Sequence, residues 1–457
     1  MKSRHLFMLS LGGVIGTGLF LNSGYVINQA GPGGALLAYL FGGLILYLVM
    51  VCLGELAVYL PVTGSFHTYA KNYIGPASGF TIGMVYFIGS AVTAGVEFTA
   101  SGILMQQWFP NTPVWIWCAL FIVALFLLNA LTTKAFAESE YWFAGMKVLA
   151  VILFIIIGGG AIFGFISMEG RAAPLSSNFT EFGLFPEGLA AVFITMLNVV
   201  FSYQGSELIG IAAGESENPE KDIPKAIRNV VFRIFFFYIA TTLVLTAIFS
   251  YKELGVLESP FVTVLEAVGI PYAASVMNFV VLIAILSVGN SCLYASTRLL
   301  WVFSHENLVP RVFGKLTKRK VPLNALLLTM VFSLLSLLTS FMAANTVYIL
   351  LTSVAGIAVT ITWMGIVFSQ YKFRKHFLRE GGKVDDLKFS VPLYPFFPLF
   401  ALAVCGVILT LPLFYPDQRL GLFVGAGFIG ACYLYYYLKH GREKNQKTSE
   451  GESRYVK

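Results

Sequence analysis

The chain has 457 residues, of which 57% are hydrophobic and 12% charged, with a mean hydropathy of +0.78. Soluble domains carry about 25% charged residues, so a soluble globular protein is excluded and a polytopic membrane protein is predicted. The net charge of +7 is spread loop by loop, which speaks against a nucleic-acid surface.

Apolar segments of roughly 20 residues or more can span a bilayer, and twelve are present. They cover 6–27, 34–60, 79–107, 113–133, 139–167, 187–212, 229–250, 271–303, 323–342, 345–371, 393–415 and 419–438. The basic N-terminus imitates a signal peptide, but no A-x-A-like cleavage site follows and further spans do. The connections are short, so residues 1–438 read as one transmembrane domain. Residues 439–457 are polar and charged and are expected to form a disordered cytoplasmic tail.

With the N-terminus inside, the inner loops and tails hold 24 of the 30 Lys and Arg residues. The outer loops hold only Arg171, Lys252 and Arg419, while Lys147, Arg233 and Arg298 lie within or at the ends of spans. This asymmetry places both termini in the cytoplasm of a cell-membrane protein.

The first span contains GGVIGTGLF, Gly12 to Phe20, followed by Gly31-Pro32-Gly33-Gly34. Gly12, Gly13, Gly16 and Gly18 weaken a helix interior. An unwound backbone is tolerated in lipid only against protein or a polar cavity. The pair Gly12 and Gly16 also makes a GxxxG, so close helix packing is the competing reading. Gly16-Thr17-Gly18 favours a broken helix.

The sixth span is interrupted in turn by Phe201-Ser202-Tyr203-Gln204-Gly205-Ser206-Glu207. Interrupted helices at matching positions of two halves point to an inverted repeat with a site between them. Spans 1–5, about 6–167, and spans 6–10, about 187–371, would be the repeats, and helices 11 and 12, about 393–438, an addition. The expected fold is therefore all-α, with twelve transmembrane helices in a five-plus-five, LeuT-like arrangement.

Three stretches carry a family resemblance: GGVIGTGLF, FSYQGSELIGIAAGESENPEKDIPKAI from Phe201 to Ile227, and LYASTRLLW from Leu293 to Trp301. They resemble bacterial amino acid permeases of the amino acid–polyamine–organocation superfamily, and the likeness runs from about Ser3 to Leu438. The resemblance implies proton-coupled import on the five-plus-five fold.

The half-helix beginning near Thr17 presents free N–H groups and a positive dipole end, which suits an α-carboxylate. Carbonyls before the breaks, near Val14, Ile15, Phe201 and Ser202, suit an ammonium. Ile15, Gly16, Thr17, Gly18, Phe201, Ser202, Tyr203 and Gly205 are thus expected to read the headgroup of an amino acid. The resemblance implies the same arrangement.

Ionisable residues at membrane depth are costly and point to function. Glu97, in GVEFTASG, is near mid-depth and is a pocket candidate; a neutral, hydrogen-bonded structural carboxyl is the alternative. Glu207 follows the second break, where capping the next half-helix and a gating or proton role are compatible. Lys147, in EYWFAGMKVLAVILF, is about 10 Å into the membrane. It could snorkel along its own stem, or exchange a proton as the gates alternate. The resemblance implies that a lysine on span five stands in for a sodium ion, and so implies proton coupling at Lys147. Arg298 reads as a snorkelling or capping residue.

Side-chain selection is left to Tyr86, Glu97, Tyr203, Gln204, Asn290, Tyr294 and Trp363. A charged Glu97 facing the pocket favours a cationic amino acid, and a neutral one favours a neutral substrate. The five cysteines are scattered singly without metal or redox spacing. No HExxH, nucleophile pair or Walker lysine is present. No enzyme activity, cofactor, metal or ATP use is expected; the partners are an amino acid, a proton and the bilayer. Asn178-Phe179-Thr180 is a sequon in an outer loop. The expected activity is secondary import by proton symport with alternating access. An exchanger or facilitator without proton coupling is the alternative, and a channel would need a ring of repeated filter groups.

Overall fold

A computed structural model describes residues 15–453, apart from 63, 132–133, 169–182, 215, 256–258 and 415. The first part of the expected first span through Val14, the sequon at Asn178 and Glu215 lie outside the described residues. The regular elements among them are all helices, with no strand. Nine of their helices are long and apolar enough to cross a membrane, and Val114–Ala130 is a shorter apolar helix.

The chain forms a one-turn helix, Thr17–Phe20, and then the long helix Asn22–Tyr59. The expected connection at residues 28–33 is instead a kink inside that long helix. Gly31 sits there at φ +71°, followed by Pro32. Proline has no N–H and glycine tolerates positive φ, so the direction changes without a connecting loop. The next N–H group, of Gly33, donates to the Leu184 carbonyl at 2.8 Å.

Helix Pro76–Met105 sits at the centre and packs against helices Val114–Leu131, Ala273–His305, Leu323–Ser333, Ala344–Arg379 and Pro416–Ser453. The expected sixth span is a series of short pieces, Ala190–Ile194, Met196–Ser202 and Leu208–Ala213. The turn into the next span starts a helix at Pro219, with Glu220 and Asp222 in its first turn. Proline at the first helical position and acids near the N-terminus both suit a helix start.

Two boundaries differ from the sequence reading. Helix Ala344–Arg379 runs past residue 371 and takes in Arg374, which the sequence places in a loop. Helix Pro416–Ser453 enters the stretch expected to be a disordered tail. That stretch is rich in Lys, Arg and Glu, which are good helix formers. All five cysteines are buried with free thiols.

Candidate functional site

The two breaks face each other. Gly16 is extended, at φ −145° and ψ −145°, immediately before helix Thr17–Phe20. Gly18 presses on the end of helix Met196–Ser202: a Cβ there would stand 2.5 Å from Ser202 Cα and 2.9 Å from its carbonyl oxygen. Only glycine permits this approach. Asn22 secures it, its Nδ2 donating to the Asn198 carbonyl and to Ser202 Oγ, both at 2.8 Å.

The second break spans Tyr203 to Glu207, with Gly205 at φ +93°. Glu207 closes this turn: Oε1 accepts the Gly205 N–H at 3.1 Å and Oε2 faces Trp363 Nε1 at 3.5 Å. The carboxylate therefore satisfies a backbone donor released by the unwinding, just before helix Leu208–Ala213.

The carbonyls expected to be open are partly taken. Ser202 O accepts the Tyr238 hydroxyl, and Phe201 O accepts the Gln204 N–H at 3.0 Å. Each keeps a second lone pair. Tyr203 turns its hydroxyl away, donating to the Tyr39 carbonyl at 2.8 Å.

Gly16, Gly18, Glu97, Phe201, Ser202, Gly205 and Glu207 line a single cavity of about 20 Å³. That is room for about one water. Helix Pro76–Met105 contributes Tyr86, Ser90, Thr93 and Glu97, and helix Ala273–His305 contributes Val288, Ser291, Cys292 and Ala295. Both sets follow helical spacing along one face. The sequence reading finds Tyr86, Glu97 and Gln204 but not Ser90, Thr93 or the four residues of the second set. Their signal was the repeat of small and hydroxyl side chains every three or four positions.

Thr17 Oγ1 donates to Glu97 Oε1 at 2.8 Å. Glu97 Oε2 is buried with no hydrogen-bond partner among the described residues, as is Ser291 Oγ. Thr93 Oγ1 has two acceptors for its one hydrogen, Gln204 Oε1 at 2.9 Å and the Gly89 carbonyl one turn back at 2.8 Å.

Lys147, in helix Lys134–Ile162, has no exposed surface and interacts electrostatically with Glu97. It does not line the cavity, and its complete burial leaves no exposed stem to snorkel along. Ile15 is likewise buried outside the lining. Asn290 accepts Asn129 Nδ2 at 2.6 Å, and Tyr294 lies under Arg298; neither reaches the cavity. Arg233, which the sequence left at a span end, is fully buried, and its Nη2 donates to Ser206 Oγ at 2.6 Å. A cation at span depth was the available signal.

The family described as "Amino acid permease" matches residues 5–450. The chain is 54% identical to the amino-acid permease RocC of Bacillus subtilis strain 168, over 98% of this chain and 96% of that protein. It is 45% identical to the lysine-specific permease LysP of Escherichia coli K12, over 89% of this chain and 85% of that protein. It is 40% identical to the histidine permease HisP of Lactococcus lactis subsp. cremoris MG1363, over 89% and 87%. Permeases carry solutes rather than convert them, and the apolar helices make this a multi-pass protein of the cell membrane. The chain belongs to the amino acid permease family.

Proposed function

We propose that the protein imports an amino acid with a basic side chain by proton symport, through alternating access. The observation that carries this reading is the enclosed space between two facing helix breaks, with Glu97 in its wall and one of its carboxylate oxygens without a hydrogen-bond partner among the described residues. The start of helix Thr17–Phe20 offers backbone N–H groups to an α-carboxylate. The second lone pairs at residues 201 and 202 suit an ammonium, and Glu97 suits a cationic side chain. The names of two relatives, a lysine-specific permease and a histidine permease, support the same substrate class. At about 20 Å³ the cavity is too small for an amino acid. Helices therefore part to admit substrate, which fits a gated carrier. Twelve spans in two inverted repeats, about 6–167 and 187–371, with helices at about 393–438 added and both termini cytoplasmic, complete the proposal. Lys147 and Glu207 serve the proton.

Uptake of labelled lysine, arginine and histidine into proteoliposomes with an imposed inward proton gradient tests it. Saturable accumulation of one of them, with counterflow on the same vesicles, is expected. Glu97→Gln should weaken affinity for the basic substrate more than for neutral analogues. Unsaturable flux without counterflow would make the protein a channel, and preferred accumulation of a neutral amino acid would overturn the substrate class.

A further inference from the structure

Arg233 lies in the apolar span Pro219–Ile248 and has no exposed surface. A cation buried at span depth is costly, and the helix around it is irregular. Helix Pro219–Arg233 passes into a π-helical turn, Ile234–Ile239, before regular helix resumes at Ala240–Ile248. At the end of that turn the Ala240 N–H bonds to the Phe235 carbonyl, five residues back. Such turns are rare and often stand at functional positions. Residues five apart point about 140° apart around an α-helix, so Arg233 and Tyr238 would face different neighbours there. The wider turn brings both onto the second break. Arg233 Nη2 donates to Ser206 Oγ at 2.6 Å, and the Tyr238 hydroxyl donates to the Ser202 carbonyl.

These contacts satisfy the unwound backbone from one side. A guanidinium can only donate, so the Ser206 hydroxyl turns its single hydrogen onto the Tyr203 carbonyl, at 2.8 Å. Two successive carbonyls of the break are thus met from the span that carries Arg233: that of Ser202 directly, and that of Tyr203 through Ser206. Arg233 also interacts electrostatically with Glu207, which accepts the Gly205 N–H across the same turn. Tyr203 packs its ring on Tyr238, with centroids 4.6 Å apart. Phe201, Ser202, Gln204, Gly205 and Glu207 line the cavity, whereas Tyr203, Ser206 and Arg233 do not.

We propose that Arg233 is a positioning residue for transport: from behind, it holds the second break in the unwound shape that presents residues 201 to 205 to the substrate headgroup. This rests on the reading that an amino acid binds between the two breaks. Every α-amino acid carries the same headgroup, so Arg233 sets the affinity for all of them alike and leaves the choice among side chains to Glu97.

Isothermal titration of the purified full chain with lysine, arginine, histidine and leucine, one at a time, tests it. Arg233→Gln should weaken every amino acid that the unaltered protein binds by a common factor of at least ten, with their order unchanged. Arg233→Lys, which keeps the charge and a donor, should recover part of that affinity. Ser206→Ala removes the acceptor and should reproduce the loss, and combining it with Arg233→Gln should add nothing further, because both act on one contact. A folded Arg233→Gln protein with full affinity overturns the proposal, as does a loss confined to the basic amino acids. If Arg233→Gln does not fold, Ser206→Ala decides, and full affinity in that variant overturns the proposal. Gly18→Ala, run alongside, separates the two readings. If it too keeps full affinity, the substrate binds away from the breaks; if it loses binding while Arg233→Gln does not, only the role of Arg233 falls.

Discussion

Glu55 and Arg374 form an ion pair closed off from solvent, their side chains 0% and 2% exposed. Arg374 Nε donates to Glu55 Oε1 at 2.8 Å, and its Nη2 reaches Oε2. Gln370 Nε2 adds a third donor at 2.9 Å, and the Val391 N–H a fourth. The carboxylate thus ties helix Asn22–Tyr59 to helix Ala344–Arg379 and to the segment leading into helix Phe396–Thr410.

Removing one member of a buried pair leaves the other uncompensated, at a cost of about 3–5 kcal/mol. Arg374→Met should therefore lower the unfolding free energy of the purified protein by that order. Adding Glu55→Gln keeps an acceptor for Val391 and removes the stranded charge, so the double variant should regain at least half of the loss. Chemical denaturation in detergent reads both. An Arg374→Met variant as stable as the unaltered protein would show that the pair carries no net stability.

The close approach of the two breaks gives the next expectation. A Cβ at Gly18 would meet Ser202 backbone at 2.5 Å, and one at Gly16 would meet Val288 Cγ2 at 2.8 Å and Glu97 Oε1 at 3.4 Å. Val288 can shift a methyl, whereas the Ser202 carbonyl is held by Tyr238 and its Oγ by Asn22. Gly18→Ala should therefore abolish substrate binding and lower stability, while Gly16→Ala should fold and lose affinity at least tenfold. Isothermal titration on folded variants decides it, and full affinity in Gly18→Ala would move the site elsewhere.

What the sequence made legible was the violation of pattern. Glycines at 16 and 18, and the polar run from Ser202 to Glu207, stand out inside apolar spans, and they meet in the structure. Which face of a wholly apolar helix looks inward is a packing outcome, so Ser90, Thr93 and Ser291 stayed hidden. Glu55 and Arg374 lie 319 positions apart and were unreadable as a pair. Arg374 reads as a loop charge because the helix runs eight residues beyond the apolar stretch that ends at 371. The kink at Gly31 shows the same limit, since Gly-Pro signals a change of direction without fixing whether a loop or a bent helix makes it.

Glu306, one residue past helix Ala273–His305, gives a pH-dependent expectation. Its Oε2 lies 3.3 Å from His67 Nε2 and 2.7 Å from Lys71 Nζ. The hydrogen bond from His67, reinforced by Lys71, lowers the Glu306 carboxyl from its ordinary 4.5 to about 2. A depressed carboxylate contributes stability that is complete above its unfolded value and is lost as pH falls through the folded one. The advantage of the unaltered protein over Glu306→Gln should shrink as pH falls from about 4.5 toward 2. Paired melting curves across that window test the sign. A difference that grows on acidification would be wrong for this cluster.

The last prediction concerns coupling. Lys147 is fully buried, and Glu97, its electrostatic partner, stands in the cavity wall and holds Thr17 at the first break. A change in the charge of Lys147 is thus felt through Glu97 at the point where substrate would bind. A buried ammonium is costly, so its proton occupancy responds to whether water reaches the neighbouring space. Opening toward one side of the membrane and then the other changes that access, which is how a proton gradient could be linked to substrate movement. Lys147→Ala should fold and bind substrate, yet fail to concentrate it when an inward proton gradient is imposed. Counterflow should persist, because exchange needs no net proton cycle. Both are measured on the same proteoliposomes, with Glu207→Gln as a parallel variant. If Lys147→Ala still accumulates substrate under the gradient while Glu207→Gln does not, the proton site lies at the second break and Lys147 serves the fold alone.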